Sequence, residues 1–228
     1  MKDIPNHAIF VTMDVSSLYT NIDHDEGAEA CFRKLEMRKN KTIPSSLLLN
    51  LIQTVLKCNI FRFQDKLYRQ IKGTAMGTPM APNYANLFMD CFETDLLHDF
   101  YEIHGYKPMT WLRYIDDVFF IWTNGEDSLK LFLDFAQNYS THKKMKSKIK
   151  FEIHQSNETV NFLDVTFIFK DKKLKTTIYS KPTNAHLYLN VKSCHPEHII
   201  KNILSLNSQD YEKFARKHQI LCNKLTNI

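Results

Sequence analysis

Two adjacent aspartates, Asp116 and Asp117, interrupt the apolar run Arg113-Tyr114-Ile115-Asp116-Asp117-Val118-Phe119-Phe120-Ile121-Trp122. The flanking residues read as two short buried strands with the acids at the tight turn between them. Presenting two carboxylates at the tip of a buried hairpin is costly unless a positive charge neutralises them. A hard divalent cation such as Mg²⁺, which takes oxygen ligands, does this well. Asp is also common at turns for plain hydrogen-bonding reasons, so the pair alone leaves both readings open. A third acid, Asp14, has a matching setting about one hundred residues upstream. It ends the apolar, β-branched and aromatic run Ala8-Ile9-Phe10-Val11-Thr12-Met13, which reads as a buried strand delivering one carboxylate. Taken together the acids point to a two-metal centre. Such a centre clamps the attacking and leaving oxygens of an in-line phosphoryl transfer, with the acids as ligands and not as proton donors.

Between the acids lies Gly73-Thr74-Ala75-Met76-Gly77-Thr78-Pro79-Met80-Ala81-Pro82, a Gly/Pro loop holding two of the chain's five glycines. Glycine lets backbone approach a ligand closely, although a Gly/Pro loop before a helix also serves as a plain connector. From Ala81 to about Tyr101 apolar residues recur at helical spacing, with Pro82 suited to the first turn.

Other elements must position these groups. Asp23 and Glu26 have capping-box spacing and start a helix to about Met37. Pro44 to Cys58 reads as a second helix. Ile60–Gln64 and Leu67–Ile71 alternate and form a hairpin around Gln64-Asp65-Lys66. A helix over 128–139, strands over 149–154, 161–169 and 174–179, and a helical tail complete the chain. Helices and antiparallel strands in this order predict an α+β fold, a sheet with helices packed on one face.

In order, spacing and residue identity the chain resembles the reverse transcriptases. Asp14 with Tyr19 is similar to that family's first catalytic motif, and Gly73–Asn86 to its glycine-containing motif. Tyr114-Ile115-Asp116-Asp117 is similar to the YxDD box, and Asn161-Phe162-Leu163-Asp164-Val165 to the hairpin that holds the primer end. The Penelope-like retroelements are closer still. The residues that carry this are Ser17-Leu18-Tyr19-Thr20-Asn21-Ile22, Met76 to Met89, Lys181-Pro182-Thr183 and Ser193-Cys194-His195-Pro196. The likeness runs from about Val11 to His198.

The resemblance implies a polymerase palm over 1–180, with an antiparallel sheet packed by helices, and a helical, thumb-like segment over 181–228. The implied activity is RNA-directed DNA polymerisation on an RNA template and a DNA primer, with dNTPs as substrates. Asp14, Asp116 and Asp117 are the implied catalytic and metal-binding acids, holding two Mg²⁺ ions for which Mn²⁺ substitutes. Tyr19 is the implied steric gate under the sugar. Met76, Gly77, Thr78 and Pro79 shape the nucleotide site, and Phe162 and Leu163 support the primer end. Many branches carry Gln where this chain has Met76. Only thirteen residues precede Asp14, with Lys2 and His7 among them, so within these 228 residues neither fingers nor a nuclease domain is expected. The expectation is therefore weak or no extension by residues 1–228 alone. The rival readings are an inactive retroelement fragment that at most binds nucleic acid, and an RNA-dependent RNA polymerase, which Tyr19 argues against.

Composition agrees with one core: 228 residues, 43% hydrophobic and 12% aromatic, with no repeat and no linker. The formal charge of +5 suits a nucleic-acid partner. Five scattered cysteines without a CxxC pair predict a reducing, intracellular setting, nuclear or cytoplasmic. No signal peptide is evident and no apolar stretch is long enough to span a membrane, so no membrane partner is expected. Lys143, Lys144, Lys146, Lys148 and Lys150 either steer a polyanion or solvate a loop. Cys194, His195 and His198 offer three zinc ligands and lack a fourth. Phe61, Phe63 and Tyr68 among Arg62, Arg69 and Lys72 mimic a base-stacking surface, with hairpin core the expected place for most of these rings.

Overall fold

The run Val118–Trp122 lacks alternation because its strand is buried on both faces, as a central strand must be. The computed structural model describes residues 4–170 and 173–183, together with Cys194 and Pro196. The elements follow in the order β1 (Ile9–Val15), α1 (Leu18–Asn21), α2 (His24–Glu36), α3 (Ser45–Lys57), β2 (Ile60–Phe63), β3 (Lys66–Arg69), α4 (Ala81–His104), β4 (Thr110–Tyr114), β5 (Asp117–Trp122), α5 (Glu126–His142), β6 (Phe151–Ser156), β7 (Thr159–Phe162), β8 (Val165–Lys170) and β9 (Lys173–Ile178). The fold is α+β, and its central sheet has the order β4-β5-β1-β6. The segment from 181 on, expected to be thumb-like, and the Cys194/His195/His198 trio lie outside the described residues, apart from 181–183 and the isolated Cys194 and Pro196.

The described residues fall into two compact units, one of residues 11–154 and one that joins residues 4–10 to those described from 155 on. In the first, α4 and α5 cover the Phe120/Trp122 face of β5. Phe132 of α5 stacks on Trp122 at 5.2 Å and meets Phe120 edge-on at 5.4 Å, while Phe100 of α4 meets Phe132 at 5.0 Å. Helix α4 buries Ala81, Tyr84, Ala85, Phe88, Met89, Phe92, Leu96 and Phe100, the stripe its 3.6-residue period dictates. In the second unit β7, β8 and β9 form an antiparallel sheet.

Two expectations change, and the lysine-rich run, read two ways above, gains definition. The capping box is only half made. Asp23 accepts from the Asp25 and Glu26 backbone N–H groups, but its own N–H goes to Ser147 Oγ at 2.8 Å. Glu26 instead takes the backbone N–H groups of Lys146 and Ser147, at 2.7 and 2.8 Å. This carboxylate therefore ties α2 to a loop 120 residues away, and those hydrogen bonds hold its pKa below the ordinary glutamate value against the opposing effect of burial. The lysine-rich run is largely committed within the chain. Lys143 pairs with Asp99 and Lys146 with Asp25, while Lys148 and Lys150 donate to backbone carbonyls. Lastly, the β2–β3 hairpin is not core: every residue of both strands is exposed, Phe61 at 52%, Phe63 at 58% and Tyr68 at 43%. Periodicity assigned these rings to a common face, but no described element covers it.

Candidate active site

Strand β1 lies beside β5 in the sheet, and this adjacency brings Asp14 to Asp116. The Val15 N–H donates to the Asp116 carbonyl at 3.1 Å, so the backbone just past Asp14 is pinned to the acidic turn. Strands β4 and β5 are antiparallel with Tyr114 opposite Asp117, which leaves Ile115-Asp116 as a two-residue turn. Ile115 has φ 56°, a left-handed conformation that costs a β-branched residue about 1–3 kcal/mol. Such strain persists only where the surroundings over-determine it.

Arg113 supplies that restraint. It is largely buried, and its guanidinium donates to the Ile115 carbonyl at 3.0 Å and to Asn86 Oδ1 at 2.8 Å. It also pairs with the buried Glu93 at 2.9 Å, and Glu93 accepts from Trp111 Nε1 at 2.9 Å. One planar fork thus fastens the acidic turn to two positions of α4. Sequence reading passed over Arg113 and Glu93. The available signal was a charged residue inside an otherwise apolar strand, which has to find a partner.

The electrostatics agree with a cation site. The Asp14 carboxyl is pushed above its ordinary 3.8, first by desolvation and then by the negative charges of Asp116 and Glu152. Glu152, on β6 on the other side of β1, is a further residue that sequence reading missed. Tyr19 is also pushed upward, by burial and then by the negative charge of Asp116 and by Tyr114. Among the described residues no three acid, histidine or cysteine side chains gather closely enough to form a ready-made metal cage. The donors nevertheless fit a hard divalent ion: they are carboxylate oxygens whose mutual repulsion such an ion would relieve. Asp14 and Asp116 are the two acids that the pairing of β1 with β5 brings together. Asp117 follows directly as the first residue of β5.

The Gly/Pro loop closes against α1. Gly73 and Thr74 donate their N–H groups to the Ile22 and Tyr19 carbonyls at 3.0 and 2.7 Å. Gly73 has φ 72°, and a Cβ there would lie 2.4 Å from the Tyr19 carbonyl oxygen, so no larger residue fits. Helix α1 was not expected; it begins after Ser17, itself at φ 52°. Further along, Met76, Gly77 and Pro79 are exposed and Thr78 is half-buried. Phe162 and Leu163 belong to the other unit, where Phe162 is buried in the β7–β8 sheet and Leu163 turns at φ 55°. A cavity of about 280 Å³ lined by Arg33, Cys91, Asp95 and Tyr139 shares no residue with the acids. Its polar rim is closed on itself by the Arg33–Asp95 pair and by the Tyr139–Asp99 hydrogen bond.

A family profile described as reverse transcriptase (RNA-dependent DNA polymerase) matches residues 1–167. The chain belongs to the reverse transcriptase family. No curated protein matches it in sequence. Among solved structures, the chain is similar to the apo telomerase of Candida tropicalis truncated from its C-terminal domain. There the TM-score is 0.56 at 12% identity, over 75% of this chain and 35% of that one. It is also similar to the telomerase of Candida albicans in complex with a fragment of telomeric RNA (TM-score 0.59, 10% identity, 76% of this chain, 32% of that one). The RNA-dependent RNA polymerase of a human picobirnavirus gives a TM-score of 0.53 at 12% identity, over 72% of this chain and 29% of that one. At these identities the likeness is one of fold, that of the polymerase palm, and the chain spans about a third of the length of the structures it matches. No helix among the described residues is long and apolar enough to cross a membrane.

The raised Asp14 pKa has a testable sign. Because the folded value lies above 3.8, this group favours the fold most at low pH, and its contribution falls as pH rises through the folded pKa. In metal-free buffer near pH 7, Asp14→Asn should raise the melting temperature, by roughly 1–3 °C for a solvent-screened group. The gain should vanish below about pH 3.8, and added Mg²⁺ should stabilise the parent chain more than the variant. Scanning calorimetry across pH reads both effects.

Proposed function

We propose that the chain is the palm of an RNA-directed DNA polymerase from a Penelope-like retroelement, adding dNTPs to a primer 3′-hydroxyl on an RNA template by two-metal nucleotidyl transfer. The observation that carries this reading is Asp14 near the end of β1, held beside the Asp116 turn by the Val15 N–H to Asp116 carbonyl hydrogen bond, with the Gly/Pro loop bonded to the Tyr19 backbone. Asp14 and Asp116 would hold the divalent ions, with Asp117 as a neighbouring acid. Bound there, Mg²⁺ or Mn²⁺ would supply Lewis-acid activation of the attacking hydroxyl and charge stabilisation of the pyrophosphate leaving group. The chain's own residues supply placement. Arg113 holds the turn, β1 fixes Asp14 across from it, and the Gly73–Thr74 hydrogen bonds set the backbone under Tyr19. Met76, Gly77, Thr78 and Pro79 would line the incoming nucleotide and template, and Phe162 and Leu163 would support the primer end.

An RNA-dependent RNA polymerase shares the palm acids and is the rival reading. The two separate at Tyr19, whose ring would occupy the space a ribose 2′-hydroxyl needs. In a polypeptide that contains this chain and extends a primed template, Tyr19→Ala should raise ribonucleotide use relative to deoxynucleotide use by at least about tenfold. Relieving one buried clash of ~1.4 kcal/mol gives that ratio. Competition between dNTP and rNTP on one template measures it. An unchanged preference would make Tyr19 a packing residue and return the RNA polymerase reading to parity.

A further inference from the structure

Both ends of the Gly/Pro loop are fastened to one turn of helix, the first of α2. At the near end, His24 Nε2 lies 2.7 Å from the Gly73 carbonyl oxygen. A carbonyl only accepts, so Nε2 carries the proton and donates it. The Gly73 and Thr74 N–H groups go to the Ile22 and Tyr19 carbonyls, on the segment that leads into α2. At the far end, Tyr84 in the first turn of α4 donates its hydroxyl to the Asp23 carbonyl at 3.3 Å. Its ring fits because residue 27 is glycine: a Cβ there would overlap the Tyr84 hydroxyl and ring. Between these anchors Met76, Gly77 and Pro79 are exposed, Met76 at 75%.

The first turn of α2 is itself held from the other side. Ser147 Oγ accepts the Asp23 N–H, and Glu26 takes the Lys146 and Ser147 N–H groups. The residues that follow are tied to the end of β1, where the Ser16 N–H donates to the Lys150 carbonyl at 2.9 Å. That turn therefore has a fixed place relative to the strand that carries Asp14. Of the near-end contacts named here, the His24 bond is the one made by a side chain, so it can be changed without touching the backbone. Gly73 is buried, and without His24 its carbonyl loses a donor that water replaces poorly.

We propose that His24 is a positioning residue for the incoming nucleotide, an inference that rests on the polymerase function proposed above. Its hydrogen bond holds the Gly73 peptide against Tyr19 and Ile22, and so sets where residues 76–79 meet the nucleotide. The acids owe their placement to β1, β5 and Arg113. The effect of His24 therefore falls on nucleotide binding, in the ground state and the transition state alike, and not on the chemical step.

The test measures dNTP incorporation by a primer-extending polypeptide that contains this chain, with active sites counted from the burst of the first turnover. His24→Ala should raise the KM for dNTP by roughly five- to tenfold, the worth of one net hydrogen bond, and leave kcat per active site within about twofold. His24→Gln should recover most of the loss, because its amide nitrogen reaches where Nε2 stood. His24→Asn, whose nitrogen matches Nδ1, should behave like the Ala variant. In the full chain, hydrogen exchange at the Gly73 and Thr74 amides should quicken in the Ala and Asn variants and recover in the Gln variant. Long-range proton–nitrogen spectra in alkaline buffer should show His24 as the Nε2–H tautomer. A histidine that serves the fold alone predicts instead fewer active sites at a parent-like KM, with Gln no better than Asn. Either result, or the Nδ1–H tautomer, would overturn the proposal and leave the polymerase reading standing. Absence of extension by the parent polypeptide would remove both together.

Discussion

Asp14→Asn and Asp116→Asn, introduced singly into a primer-extending polypeptide that contains this chain, are each expected to reduce Mg²⁺-dependent extension by roughly 10³-fold or more. The change barely alters shape but, on the proposed function, would remove an anionic ligand for the divalent ion at the reacting phosphate, an effect worth several kcal/mol. The two variants should differ in stability. Asn at 14 relieves the repulsion from Asp116 and Glu152 that raises its pKa. Fold and chemistry are thereby separated: activity falls while the metal-free melting temperature holds or rises. Retained extension in both variants would remove the pair from the chemistry. Asp117, the neighbouring acid, should respond less to the same change.

The second large effect belongs to Arg113. Arg113→Met leaves Glu93 buried without its cation and the Ile115 carbonyl without a donor, and breaking a buried pair from one side costs about 3–5 kcal/mol. For a domain of this size the melting temperature should fall by roughly 10 °C. Arg113→Lys restores the charge but not the fork, so it should recover most of the stability without holding Glu93, Asn86 and Ile115 together. The discriminating readout is hydrogen exchange at the Ile115, Asp116 and Asp117 amides, along with the Mg²⁺ concentration needed for half-maximal extension. If Arg113 positions the turn, the Lys variant exchanges faster there and needs more Mg²⁺, while its α4 amides stay protected. Parent-like values of both in the Lys variant would reduce Arg113 to a structural ion pair.

Much of this architecture was legible in the chain because it is written locally. The Asp14 strand, the acidic hairpin and the long helix each follow from a run whose period or apolar density permits one reading. What escaped was non-local. Glu152 reaches the site only because β6 lies next to β1, and strand order is not visible in either segment. Glu26 looked like a capping residue and serves a distant loop, because its geometry permits either and the loop supplies two donors. The exposed hairpin failed for a related reason. Alternation identifies which side chains share a face, whereas burial depends on whether another element arrives to cover it. Helix α1 is too short for a period and starts from a serine at positive φ, which sequence does not announce.

Gly73 and Gly77 occupy one loop, yet they imply opposite mutational tolerance. At 73 both φ and the crowding of Tyr19 and Thr20 backbone forbid any side chain. At 77 only φ 93° stands in the way, with nothing among the described residues within 4 Å of an added Cβ. A residue that accepts left-handed backbone, such as Asn, should therefore fold almost normally at 77. In a saturation library scored separately for abundance and for extension, position 73 should be depleted in both. Position 77 should be depleted in extension alone if a nucleotide or template strand passes through the space beside it. The glycine that the fold itself does not need would then report the path of the ligand.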